Sequence, residues 1–68
     1  MQQINEALAA GYAAFQRGAL DEARRHLEGV DHVKAIHLLA LVEKNAGNTW
    51  AAARLFARAA KLDPRDPE

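Results

Sequence analysis

The fold of this chain is decided by the stretch from Gly47 to Pro64, which reads GNTWAAARLFARAAKLDP. Gly47 can end one helix, and Asn48 is a residue type that caps the start of the next. Between them and the proline the segment 49–62 is rich in alanine, the strongest helix former. Asp63 precedes proline, and such a residue avoids the helical region of backbone space. The stretch therefore predicts a helix over 49–62 with a defined start and a defined stop.

Glycines divide the rest of the chain in the same way. Gly18 and Gly29 can end two earlier helices, and Asp31 is a good N-cap for a third. The connections are only a few residues long, so helices that are neighbours in sequence should pack antiparallel. The β-branched residues that favour strands are few and scattered. We predict an all-α domain of two antiparallel hairpins, with helices at Gln2 or Asn5 to Arg17, Leu20–Glu28, His32–Asn45 and Thr49–Leu62.

Composition limits the classes of function. The chain has 68 residues, no cysteine, and nine basic and nine acidic residues, so its formal net charge is zero. A chain of this size buries about 60% of the surface exposed by its unfolded form, which makes one marginally stable domain. Nucleic-acid binders are normally basic, and no apolar run reaches the roughly 18 residues of a membrane span. The first residues lack the pattern of a signal peptide. We expect a cytoplasmic protein with no nucleic-acid or membrane partner, and the alanine- and arginine-rich composition hints at a bacterial source.

Residues 32–66 resemble a tetratricopeptide repeat, a helix–turn–helix unit of about 34 residues. The positions that match the repeat signature are Ile36, Leu39, Ala40, Ala52, Phe56, Ala59 and Pro64. Glu43 departs from the pattern, because the family usually has an aromatic residue there. The resemblance implies a right-handed array of helical hairpins, stacked side by side, that holds other molecules and does not transform them.

Residues 1–31 resemble a degenerate, shortened first repeat. Gly18 and Ala23 match the interhelical glycine and the first small residue of the second helix, and Gly11 stands at a small-residue position. The two interhelical glycines are 29 residues apart, about five fewer than the repeat length of the family. Residues 66–68, Asp-Pro-Glu, are typical of a helix start and would open a truncated third repeat. An unrelated pair of hairpins and a plain polar tail are the alternatives.

The resemblance places a ligand groove on the first helix of each unit. Its candidate residues are Leu8, Tyr12, Phe15, Lys34, His37, Leu41 and Lys44. The lysine and asparagine residues with which the best-known members clamp a C-terminal carboxylate are replaced here, for example by Leu38. We therefore expect an apolar, aromatic groove suited to an extended or helical peptide. The alternative is that Leu8 and Phe15 belong to the core, with Tyr12 partly exposed because its hydroxyl needs a partner.

The last helix carries two further candidate surfaces. One is an apolar end face, formed by Trp50, Ala53, Ala60 and Leu62, that would self-associate or dock on a neighbour. The other is a basic stripe, formed by Arg54, Arg58, Lys61 and Arg65. The alternatives are that Trp50 packs within its own unit, and that the stripe is a solvated face whose cations suit the end of a helix.

Catalytic and metal-binding chemistry has little to build on. The three histidines at 26, 32 and 37 do not have the i, i+4 spacing of a helical metal pair. The chain has no serine or cysteine to act as a nucleophile. We expect no catalytic residue, no metal site and no cofactor. Local ion pairs are expected four residues apart, at Glu22–His26, Asp21–Arg25 and Arg24–Glu28.

The sequence thus predicts a protein–protein interaction scaffold that is not an enzyme. Its partner would be a protein or a peptide, bound by the groove or by the apolar end face. Two alternatives stay open, namely a homo-oligomerisation module and an N-terminal accessory domain of a larger enzyme.

Overall fold

The structure is a computed structural model that describes residues 2–62, with side chains described from residue 5 onward. It has four helices, α1 (Gln2–Gln16), α2 (Leu20–Leu27), α3 (Val33–Asn45) and α4 (Thr49–Leu62), and the described range contains no strand. The all-α prediction is confirmed, and each helix boundary lies within about one residue of its predicted place. The predicted proline stop, Arg65 and the start of a third repeat lie outside the described residues.

The ends of α1 and α3 show why glycine follows them. Gly18 and Gly47 have φ angles of 80° and 89°, in the left-handed region that side chains disfavour. At the turn after α3 the backbone N–H of Asn48 donates to the carbonyl oxygen of Glu43 at 2.8 Å. The backbone N–H of Gly47 donates to the carbonyl oxygen of Lys44 at 3.1 Å. The same two-bond pattern closes α1. Both turns are therefore Schellman motifs, which satisfy the last carbonyls of each helix.

The start of α3 differs from the prediction. His32, not Asp31, is the N-cap residue, and its Nδ1 accepts a hydrogen bond from the backbone N–H of Lys34 at 3.1 Å. The helix begins one residue later than predicted, so the aspartate is one position too early to cap it. The Asp31 carboxylate lies instead 3.5 Å from the Nη2 of Arg58 on α4. Since Arg58 lies near the end of α4 and Asp31 just before α3, these two helices run in opposite directions.

The core is built mainly from alanine. Its central cluster of buried residues is Ala14, Ala23, Leu27, Ala35 and Val42. Leu8 and Phe15 are half-buried and pack against this cluster, so core packing is their observed role. Small side chains let helices approach closely, and one close approach is at Gly11, on α1. A Cβ atom placed on Gly11 would lie 2.6 Å from the Cγ of Leu27.

Packing follows the order of the chain. The helix α1 packs on α2, α2 packs on α3, and α3 packs on α4, with a smaller contact between α1 and α3. Within residues 2–62, neither α1 nor α2 brings a Cα atom within 8 Å of a Cα atom of α4. The first two helices are therefore joined to the last two by the contacts that α1 and α2 make with α3.

A polar network crosses this α2–α3 contact. Arg24 donates to both carboxylate oxygens of Glu43, from Nε at 2.8 Å and from Nη2 at 3.1 Å. The side-chain amide of Asn48 donates to the same carboxylate at 2.7 Å. Glu43 is thus 8% exposed and satisfied by three hydrogen bonds. It ties α2 to α3 and to the turn before α4.

The predicted local ion pairs on α2 are only partly right. Glu22 and His26 approach to 3.7 Å, as expected for this i, i+4 pair. Arg24, however, pairs with Glu43 and with Asp21 at i, i+3, instead of with Glu28 as predicted. The predicted Asp21–Arg25 pair is replaced in the same way, because Arg24 donates a hydrogen bond to the carboxylate of Asp21.

The network predicts a pH dependence of stability. The hydrogen bonds from Arg24 lower the pKa of Glu43, against the opposing effect of burial, and the bond from Asn48 lowers it further. Because the folded-state pKa lies below the unfolded value of about 4.3, the contribution of Glu43 is complete above that pH and lost as the pH falls through the folded-state pKa. We expect acid to lower the urea midpoint of the wild type more than that of Glu43→Gln. Parallel curves for the two proteins would contradict this assignment.

Candidate interaction surface

The largest exposed apolar side chain that the structure describes is Trp50, at the start of α4. It is 84% exposed, so it does not pack within its own unit. Leu62 is 52% exposed, and Ala53 and Ala60 are also exposed. All four residues of the predicted end face are therefore accessible.

The four residues do not form one surface. Successive residues of an α-helix are rotated by about 100°, which places Trp50, Ala53 and Ala60 within an arc of about 80°. Leu62 lies about 120° from Trp50, on the other side. The end face is therefore a narrow apolar strip that includes the tryptophan and alanines, and Leu62 is separate from it.

Cations occupy the opposite flank of Trp50. By the same geometry Arg54, Arg58 and Lys61 lie within about 80° of the tryptophan, on the side away from the alanines. All three are exposed, and Arg58 keeps a side-chain exposure of 59% beside Asp31. Arg65, the fourth member of the predicted stripe, lies beyond the described residues. We call Trp50, Arg54, Arg58 and Lys61 the cationic α4 face.

A shallow depression of about 260 Å³ lies between α3 and α4. Its lining residues are Lys44, Thr49, Ala52, Ala53 and Phe56. The ring of Phe56 also meets the ring of His37 edge-on, with centroids 5.4 Å apart. The depression is mostly apolar, with one lysine at its border.

The predicted groove residues divide between two places. Leu8 and Phe15 are in the core, whereas Tyr12 is 51% exposed. On α3, Lys34, His37 and Lys44 are exposed and Leu41 is half-buried. Because Lys44 and Ala53 line the same depression, the α3 part of the groove is continuous with the alanine strip of α4. The sequence does not show that these surfaces join, because they lie on different helices.

The three histidines each have a structural neighbour. His26 lies beside Glu22, His32 caps α3, and His37 meets Phe56. Within the described part of the chain, no group of three or more His, Cys, Asp or Glu residues could hold a metal ion. The described helices also include none that is long and apolar enough to cross a membrane.

Two features of the structure could not be predicted from the sequence. The depression needs both α3 and α4, and no local pattern marks it. The Arg24–Glu43 pair spans 19 residues, and its only sequence signal is a glutamate that directly follows a run of apolar residues. Comparison with protein-family models, with curated proteins and with solved structures found no match for this chain.

Proposed function

We propose that this chain is a tetratricopeptide-like interaction module that binds a protein or peptide partner through the joined surface of α3 and α4. The observation that carries the proposal is the 84% exposure of Trp50 beside an alanine strip and an apolar depression. Exposed tryptophan is enriched among the residues that dominate binding energy, because it buries a large apolar area when a partner covers it.

The family part of the proposal is supported by where the matching residues lie. Ala40, Ala52 and Ala59 stand at small-residue positions of the repeat signature, and all three are buried between helices. Gly47 stands at the turn between the two helices of the unit. A scaffold of this kind acts by holding a partner, and the proposal gives it no catalytic residue.

Site-specific photo-crosslinking in cells tests the binding function. A photoreactive amino acid at Ala57, which is exposed on the Trp50 side of α4, should give a discrete adduct with a partner. Trp50→Ala should reduce that adduct at least about tenfold, since binding hot spots contribute about 2 kcal/mol or more. Circular dichroism should show no change in fold, because the replaced side chain is already exposed.

The matched control places the same photoreactive group at Ala13, which is exposed on α1. Equal adducts from both positions, or an adduct at 57 that Trp50→Ala leaves unchanged, would contradict the proposal. An adduct with twice the mass of the chain would show that the partner is a second copy, and the module would then serve self-assembly.

A further inference from the structure

The surface formed by α3 and α4 has a strong excess of positive charge. Residues 33–62 contain five lysines and arginines but a single acid, Glu43. That carboxylate is buried and satisfied by Arg24 and Asn48, so it does not offset the surface cations. An exposed acid beside this surface is Asp31, just before α3, which lies 3.5 Å from Arg58. Three of the five cations belong to the cationic α4 face, in line with Trp50.

This charge disfavours a second copy as the occupant of the face. A two-fold dimer sets one surface against itself, and here it would place Arg54, Arg58 and Lys61 against the same cations. Like charges that meet across an interface are costly.

A head-to-tail contact would need an acidic surface elsewhere on the chain. The exposed side of α1 has one carboxylate, Glu6, among neutral residues. On α2, Asp21 and Glu22 already pair with Arg24 and Arg17 of their own chain. Glu28 and Asp31 are exposed as well, and Asp31 already pairs with Arg58 of its own chain. A head-to-tail contact that used Asp21, Glu22 or Asp31 would therefore compete with ion pairs that the chain already makes.

We propose that the cationic α4 face binds an acidic amphipathic segment of a protein partner. The proposal rests on the binding function given above and names the chemistry of the partner. Carboxylates of that segment would lie opposite Arg54 and Lys61, while its apolar side chains would cover Trp50 and reach the depression at Phe56. The face extends over 11 residue steps, about 16 Å, which matches about three turns of a partner helix.

The test uses two synthetic peptides of about 12 residues. One has leucine at positions i, i+3, i+4 and i+7 and glutamate at the others, and the second has glutamine in place of every glutamate. The emission of Trp50 reports binding directly, because it is the only tryptophan of the chain and starts from an exposed position. We expect the acidic peptide to shift this emission to shorter wavelength, with an affinity that falls as salt is added.

Two charge-reversal variants separate a specific contact from general attraction. Arg54→Glu with Lys61→Glu should weaken the acidic peptide at least about tenfold. Arg17→Glu with Arg25→Glu changes the net charge equally at exposed sites outside α3 and α4, and should weaken it about twofold at most. Equal losses in the two variants would overturn the proposal.

The other outcomes are also decisive. Equal binding of both peptides would overturn the acidic partner but would keep Trp50 as an apolar docking site, so the binding function would stand. If neither peptide binds, the inference is overturned. The crosslinking experiment then tests the binding function independently. A larger emission shift with phosphatidylserine vesicles or a short DNA duplex than with the peptide would assign the face to a membrane or a nucleic acid, and would overturn the proposal.

Discussion

Gly11→Ala is expected to destabilise the wild-type protein and to stabilise a variant that carries Leu27→Ala. In the wild type the new Cβ would lie 2.6, 2.7 and 3.0 Å from Cγ, Cδ2 and Cδ1 of Leu27, a side chain that is 1% exposed and enclosed by the core. Overpacking of this kind costs about 1–3 kcal/mol, against a gain of up to about 1 kcal/mol from the better helix former.

Leu27→Ala removes all three clashing atoms. By itself it should cost about 2–5 kcal/mol, which is a large part of the stability of so small a domain. In that background a methyl group on residue 11 fills part of the cavity, and the helix propensity gain is no longer opposed. The second change should therefore raise the free energy of unfolding by about 1 kcal/mol.

Urea unfolding followed by far-ultraviolet circular dichroism measures all four proteins of this cycle. The matched control is Ala9→Gly, at an exposed position of the same helix, which should cost about 1 kcal/mol in both backgrounds. If Gly11→Ala changes the free energy of unfolding with the same sign in both backgrounds, the predicted clash between residue 11 and Leu27 is contradicted.

The second large effect is expected at Glu43. Glu43→Ala should cost about 2 kcal/mol, because it removes a two-bond ion pair and leaves the donors of Arg24 and Asn48 without their acceptor. This is below the roughly 3–5 kcal/mol of a fully buried pair, since the Arg24 side chain keeps an exposure of 28%.

The matched control is the exposed pair of Arg17 and Glu22, whose nitrogen and oxygen are also 2.8 Å apart. Their side chains are 56% and 43% exposed, so solvent screens the attraction and Glu22→Ala should leave the urea midpoint close to that of the wild type. Equal losses in the two variants would mean that burial of the Arg24–Glu43 pair does not raise its contribution.

The helices could be predicted from the sequence because their signals are local. Glycine at positions 18, 29 and 47 has a positive φ angle after α1, α2 and α3, and alanine fills the segments between. The cap of α3 was missed because a shift of one residue decides whether Asp31 or His32 accepts the first free N–H. The position of the first helical residue depends on the conformation of the preceding turn. The side-chain types of Asp31 and His32 do not determine that conformation.

The candidate surface was less predictable than the fold. The sequence identified Trp50 and the cations, since their spacing along α4 is fixed by helix geometry. The sequence could not show whether Trp50 is buried within the domain, because its burial depends on how α4 packs on α3. The partner of Arg24 was missed for the same reason. Residues on its own helix are always near, whereas Glu43 is near only when α2 and α3 are packed.

The order in which the helices pack has a consequence for how the domain opens. Because α4 is linked to the first two helices only through α3, and α1 mainly through α2, the molecule behaves as a short chain of nearest-neighbour contacts. Local opening can therefore begin at either end without disrupting the other end. Opening becomes global when the contacts of α2 and α1 with α3, including the Arg24–Glu43 pair, are lost.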